Sequence, residues 1–152
     1  PLSTEPATRP ARTLTPRVRL ALIADRDEVL AAIEDDGVTL VDSMAEGHYR
    51  GDWTMYDRPG HIVGAVNVST RRTVDESGRY LPLEDLEALF AGPRDQRQIT
   101  YCGGGIAASS NAFLLTRLGF TDVAVYTASL QEWAADPDNP METATEFDEF
   151  EE

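Results

Sequence analysis

The chain has 152 residues and a mass of 16.7 kDa, with 41% hydrophobic and 26% charged residues, the balance of one globular domain and not of a disordered chain. Thirteen basic against 27 acidic residues give a formal charge of −14, a field that repels phosphate backbones and acidic membrane surfaces, so neither nucleic acid nor membrane is an expected partner. All thirteen basic residues are Arg, which removes lysine Schiff bases, pyridoxal-phosphate anchoring and the P-loop lysine; the single cysteine, Cys102, and two histidines are too few for an internal disulfide or a Cys/His zinc cage.

In chain order, residues 1–19 hold four Arg and four Pro without apolar periodicity and read as an extended basic arm. The folded domain is expected over 20–142. Asp25 caps a predicted helix running through Val29, Leu30 and Ile33 to Gly37, and the β-branched run Val38 to Asp42 follows as a buried strand. A polar stretch with Tyr49, Gly51, Trp53 and Pro59 leads to a short strand over Ile62 to Val68 and a loop at Ser77-Gly78. Pro82 opens a helix carrying Leu83, Leu86, Leu89 and Phe90, stopped by Gly92-Pro93. Strand Gln98 to Tyr101, helix Ala107 to Leu118 ended by Gly119, strand Val123 to Tyr126 and a helix near Leu130 to Ala134 complete the alternation. Such alternation predicts an α/β domain with a central, mostly parallel sheet and helices on both faces. Residues 143–152, with only Phe147 and Phe150 to bury among acids, read as an acidic tail.

In an open α/β sheet, ligands sit at the carboxyl ends of strands. Cys102 stands at such an end, followed by Gly103-Gly104-Gly105-Ile106 and a helix. Alone, a cysteine here is either a small buried hydrophobe at a tight turn or a reactive thiol. Three consecutive glycines favour the second. They let successive N–H groups turn inward as an anion nest, and the helix N-terminus adds partial positive charge, an environment that stabilises a thiolate.

Four segments, GVTLVD at 37–42, RPGHIVGAVNV at 58–68, ITYCGGGIAAS at 99–109 and LGFTDVAVYTASLQEW at 118–133, resemble in order and spacing a rhodanese (sulfurtransferase) domain over about residues 20–142. The Gly-rich loop and the WAADPDNPME ending are most similar to the C-terminal, catalytic half of tandem thiosulfate or 3-mercaptopyruvate sulfurtransferases. The resemblance implies a rhodanese-like fold and ping-pong chemistry without metal or organic cofactor. The Cys102 thiolate takes sulfane sulfur from a small donor, becomes a persulfide, and passes the sulfur to a thiol, cyanide or protein acceptor. It makes Cys102 the nucleophile and the amides of Gly103, Gly104, Gly105, Ile106 and Ala107 the cradle, whose small residues favour an organic donor of the mercaptopyruvate type. Arg50 and Arg58 are expected to hold the donor's anionic group through a bidentate fork, with a surface ion pair as the alternative. His48 occupies the place of a donor-binding Arg and is either a charged ligand or a solvated surface residue. His61 is expected to bond backbone at a buried turn, Arg71 and Arg72 to face the mouth of the site, and Trp53, Tyr56 and Trp133 to pack or form pocket walls.

Three departures from the family pattern stand out: Ala107 where Thr is usual, Met44 where an Arg follows the strand-end Asp, and Thr127-Ala128-Ser129 in place of Asp-Gly-Ser. They motivate a second reading, a catalytically weak module used for binding, regulation or protein sulfur relay. The acidic surface suits a basic protein partner, and the free cysteine fits a cytoplasmic setting. A phosphatase of the related fold needs a longer loop closed by Arg, whereas Ser109 and Ser110 follow two alanines here.

Overall fold

The computed structural model describes Thr4 and residues 10–144; most of the expected acidic tail lies outside the described residues. Residues 10–19 are exposed and carry no regular secondary structure. The core is a five-stranded, wholly parallel sheet: β1 (Ile23–Ala24), β2 (Val38–Asp42), β4 (Val66–Asn67), β5 (Arg97–Tyr101) and β6 (Val123–Tyr126), in the spatial order β1-β6-β5-β2-β4. A second, two-stranded antiparallel sheet pairs β3 (His61–Ile62) with β7 (Met141–Glu142).

Successive strand residues point to opposite faces, so the sheet carries two cores. Leu40, Ile99, Tyr101, Ala124 and Tyr126 pack with Val29 and Ala32 of α1 (Arg26–Ala32) and with Leu130 and Trp133 of α5 (Ser129–Trp133). On the other face Val41 and Val123 pack with Leu86 of α3 (Leu83–Glu87) and with Leu114 and Leu115 of α4 (Ile106–Arg117). Helices thus cover both faces, as the alternation predicts. The caps follow the sequence too: Asp25 accepts the Glu28 N–H at 2.9 Å, and Gly119 ends α4 at φ +91°.

Several elements differ from expectation: strands β1 and β7 are not among those predicted, and α1 stops at Ala32, short of Gly37. The predicted strand over Ile62 to Val68 is broken into β3 and β4 in separate sheets, because Ala65 N–H folds back to the Ile62 carbonyl and Gly64 takes φ +75°. The polar stretch after β2 contains a further helix, α2 (Glu46–Arg50), closed by Gly51 at φ +86°.

β2 runs to its neighbour β4 on one side and β5 to its neighbour β6 on the other, which opens a crevice at the carboxyl ends of β2 and β5. Asn111 of α4 ties this end together by donating to Ser43 Oγ at 2.9 Å and to the Val68 carbonyl at 2.7 Å. Asp42 is fully buried there, and burial pushes its carboxyl up to about 6, opposed by hydrogen bonds from the Met44 N–H (2.6 Å) and the Tyr101 phenol. Between its unfolded value near 3.9 and about 6, the folded state retains a proton that the unfolded chain has lost. That contribution to stability is complete below the unfolded value and is lost as pH rises through 6. Asp42→Asn keeps the acceptor for Met44 and is expected to raise stability at pH 7.5 by on the order of 1–3 kcal/mol, a gain that shrinks at pH 4.5. Urea midpoints of both proteins at the two pH values check this.

Candidate active site

Cys102 follows β5 directly and is 3% exposed. Its Sγ accepts the Gly105 N–H at 3.1 Å. Gly105 sits at φ +84° as the N-cap of α4, and a Cβ there would stand 2.9 Å from the Thr127 carbonyl oxygen, so glycine is required by both conformation and space. The next N–H groups, of Ile106 and Ala107, open the 12-residue α4 and bond no backbone carbonyl among the described residues. Their partial positive charge faces the end of the strand that presents the sulfur.

The loop is fastened from the other side by the start of α5. Leu130 N–H donates to the Cys102 carbonyl and Gln131 N–H to the Gly103 carbonyl, each at 3.0 Å. The Cys102 N–H donates to Ser129 Oγ at 3.1 Å, and that hydroxyl donates to the Tyr126 carbonyl at 2.7 Å. Ser129 is held at φ +54°, the one non-glycine in the left-handed region among the described residues. The third residue of the Thr127-Ala128-Ser129 segment therefore anchors the cysteine through its hydroxyl, which the sequence does not signal.

The expected cradle residues Gly103, Gly104, Gly105, Ile106 and Ala107 are brought together around Cys102, with the Ile106 side chain 88% exposed at the rim. The three cationic candidates are placed otherwise. Arg58 does not present its fork to a ligand: it donates to the carbonyls of Trp133 (3.0 Å), Ala134 (3.1 Å), Asp136 (2.6 Å) and Asn139 (2.9 Å). Arg50 is exposed and ion-paired with Glu46 at 3.1 Å and Asp52 at 2.8 Å, the surface-pair alternative. His48 is not solvated. It is fully buried, burial pushes its pKa down, and it packs edge-on against Trp53 and Tyr56 at 5.0 and 5.5 Å.

His61 bonds backbone as expected: Nδ1 meets the Tyr49 carbonyl at 2.7 Å and the ring stacks on Tyr49 at 3.6 Å. Arg71 and Arg72 stand exposed on the short turn Thr70–Thr73 after β4. Trp133 belongs to the core, while Tyr56 lies directly over Gly103 and joins the site.

A cysteine at the carboxyl end of the central strand of a parallel sheet, its sulfur accepting an N–H at a helix N-terminus, defines an α/β domain with a thiol in the crevice at the strand ends. The sequence model of the rhodanese-like domain matches residues 25–136, and the chain belongs to that family. Relatives include a protein of Pseudomonas aeruginosa named as a probable 3-mercaptopyruvate sulfurtransferase, 33% identical over 128 residues (81% of this chain, 45% of the relative). The thiosulfate sulfurtransferase of Rattus norvegicus is 31% identical over 140 residues, covering 88% of this chain and 47% of the relative. The mitochondrial thiosulfate/3-mercaptopyruvate sulfurtransferase 1 of Arabidopsis thaliana is 32% identical over 132 residues, covering 80% and 34%. The chain thus spans less than half the length of these relatives. Among solved structures, the anaerobic ergothioneine biosynthesis enzyme of Chlorobium limicola superposes with a TM-score of 0.75 at 22% identity, over 82% of this chain and 32% of that one, a likeness of fold.

Proposed function

We propose that this domain is a sulfurtransferase that carries sulfane sulfur on Cys102 as a persulfide. The observation that carries the reading is the Gly105 N–H on Cys102 Sγ at 3.1 Å, at the head of a helix whose next amides bond no backbone carbonyl among the described residues. A sulfur anion gains from such donors, and a thiolate is the form that attacks a sulfane sulfur. The names of the relatives support a thiosulfate or 3-mercaptopyruvate type of donor. The small cradle residues favour the organic one, with a thiol, cyanide or protein as acceptor. No described helix is long and apolar enough to cross a membrane, and a cytoplasmic location is part of this reading.

A second reading, a binding or sulfur-relay module with little turnover of small donors, is favoured by the engagement of Arg58 and Arg50 elsewhere and by the burial of His48. One experiment separates the two. Incubation with thiosulfate or mercaptopyruvate, followed by intact mass with a thiol-blocking control, is expected to add one sulfur, about 32 Da, on Cys102. The faster donor assigns the subtype; no gain with either donor sinks the small-donor reading in favour of the module.

A further inference from the structure

Tyr56 borders the cradle at Gly103. Its ring is the nearest neighbour above Gly103: a Cβ at that position would overlap Tyr56 Oη and stand 3.0 Å from Cζ, so a larger residue there has to move the phenol. The ring is held from behind by buried His48, edge-on at 5.5 Å. The neighbouring Thr54 hydroxyl accepts the Tyr56 N–H at 3.0 Å and fixes the backbone turn, yet among the described residues the Tyr56 hydroxyl itself bonds no protein atom. The resting Cys102 sulfur takes the Gly105 N–H and nothing from Tyr56. A persulfide extends the cysteine by one S–S bond, about 2 Å.

We propose that the Tyr56 O–H is the side-chain hydrogen-bond donor to the sulfane sulfur on Cys102, and so a catalytic group of the transfer; this rests on the sulfurtransferase reading above. Burial first, and the nearby Cys102 charge second, push the phenol's pKa up, so the O–H keeps its proton while the sulfur is anionic. In loading, Cys102 Sγ forms a bond to the donor's terminal sulfur. The bond from that sulfur to the rest of the donor breaks, and its electron pair leaves on sulfite or on the enolate. In discharge, the acceptor's lone pair bonds to the same sulfur and the S–S pair returns to Sγ as thiolate. The terminal sulfur bears negative charge whenever a nucleophile must approach it. A hydrogen bond from Tyr56 draws off that charge in both steps, and no proton is transferred.

The test loads wild type and Tyr56→Phe with inorganic polysulfide, which does not depend on the natural donor, and follows single-turnover discharge to cyanide. Alkylation of the resting thiol by iodoacetamide is measured in parallel. Tyr56→Phe is expected to slow discharge about tenfold while changing resting-thiol alkylation less than twofold. Discharge within twofold of wild type overturns the proposal, as does an equal drop in both rates, which would mark a displaced loop. If Tyr56→Phe does not fold, Gly103→Ala, which forces the phenol aside, is expected to show the same selective loss, and unchanged discharge there overturns the proposal. Wild type that takes no sulfur from thiosulfate or mercaptopyruvate, yet discharges faster than Tyr56→Phe after polysulfide loading, removes the donor assignment and upholds Tyr56. Wild type that polysulfide cannot load overturns both.

Discussion

Arg58→Ala is expected to lower the melting temperature by roughly 10 °C while leaving the KM for a sulfur donor unchanged at a temperature where the variant is folded. The guanidinium lies part-buried and donates to five main-chain carbonyls between Trp133 and Asn139, four of them within 3.1 Å. These carbonyls follow α5, where the chain turns toward β7, and the same segment is closed by Asn139 Nδ2 on the Trp133 carbonyl and by Trp133 Nε1 on the Pro140 carbonyl. Removing Arg58 leaves the Ala134 and Asn139 carbonyls without their donor and takes one of two donors from the Trp133 and Asp136 carbonyls, which keep Asn139. Hydrogen bonds to a charged group contribute about 1.5–3 kcal/mol each when partly buried, though not additively, and a net loss of about 3 kcal/mol is the expectation. Arg58→Lys is expected to recover little, because one ammonium cannot reach four carbonyls arranged around a planar fork. A raised KM at unchanged melting temperature would restore Arg58 to the donor site.

Arg58 also shows where sequence reading runs out. Its partners lie 75–81 residues away, and nothing in the local pattern RPGHI separates a fork aimed at carbonyls from one aimed at a substrate carboxylate. His48 fails for the same reason. Between Glu46 and Arg50 it looks solvated, and its burial arises from α2 being laid under Trp53 and Tyr56 by the loop that follows. What was legible is what local physics decides. Val38–Asp42 and Val123–Tyr126 are short apolar runs bounded by polar and glycine residues, and their ends match the predicted ones. Asp25 caps because its side chain precedes an amphipathic run. The two-residue strands β1, β4 and β7 carry no periodicity; they are strands only because a neighbour pairs with them. The position of Cys102 at a strand end was readable, while the hydroxyl anchor of Ser129 and the phenol of Tyr56 come from segments 27 and 46 residues away in the chain.

Cys102→Ser is expected to reduce sulfur transfer by at least about three orders of magnitude, with a melting temperature within about 2 °C of wild type. The two halves of this expectation have separate physical causes. A serine hydroxyl is essentially un-ionised at neutral pH and forms no persulfide, so ping-pong transfer has no carrier and intact mass shows no added sulfur. The fold loses little, because the sulfur is not what holds the loop. Ser129 Oγ on the Cys102 N–H, Leu130 N–H on the Cys102 carbonyl and Gln131 N–H on the Gly103 carbonyl are all main-chain anchors that survive the change. Serine Oγ can accept the Gly105 N–H in place of Sγ. A variant that melts much lower would instead make Cys102 a packing residue of the core. A variant that keeps full transfer would remove the persulfide mechanism, since no other cysteine exists in the chain to carry the sulfur.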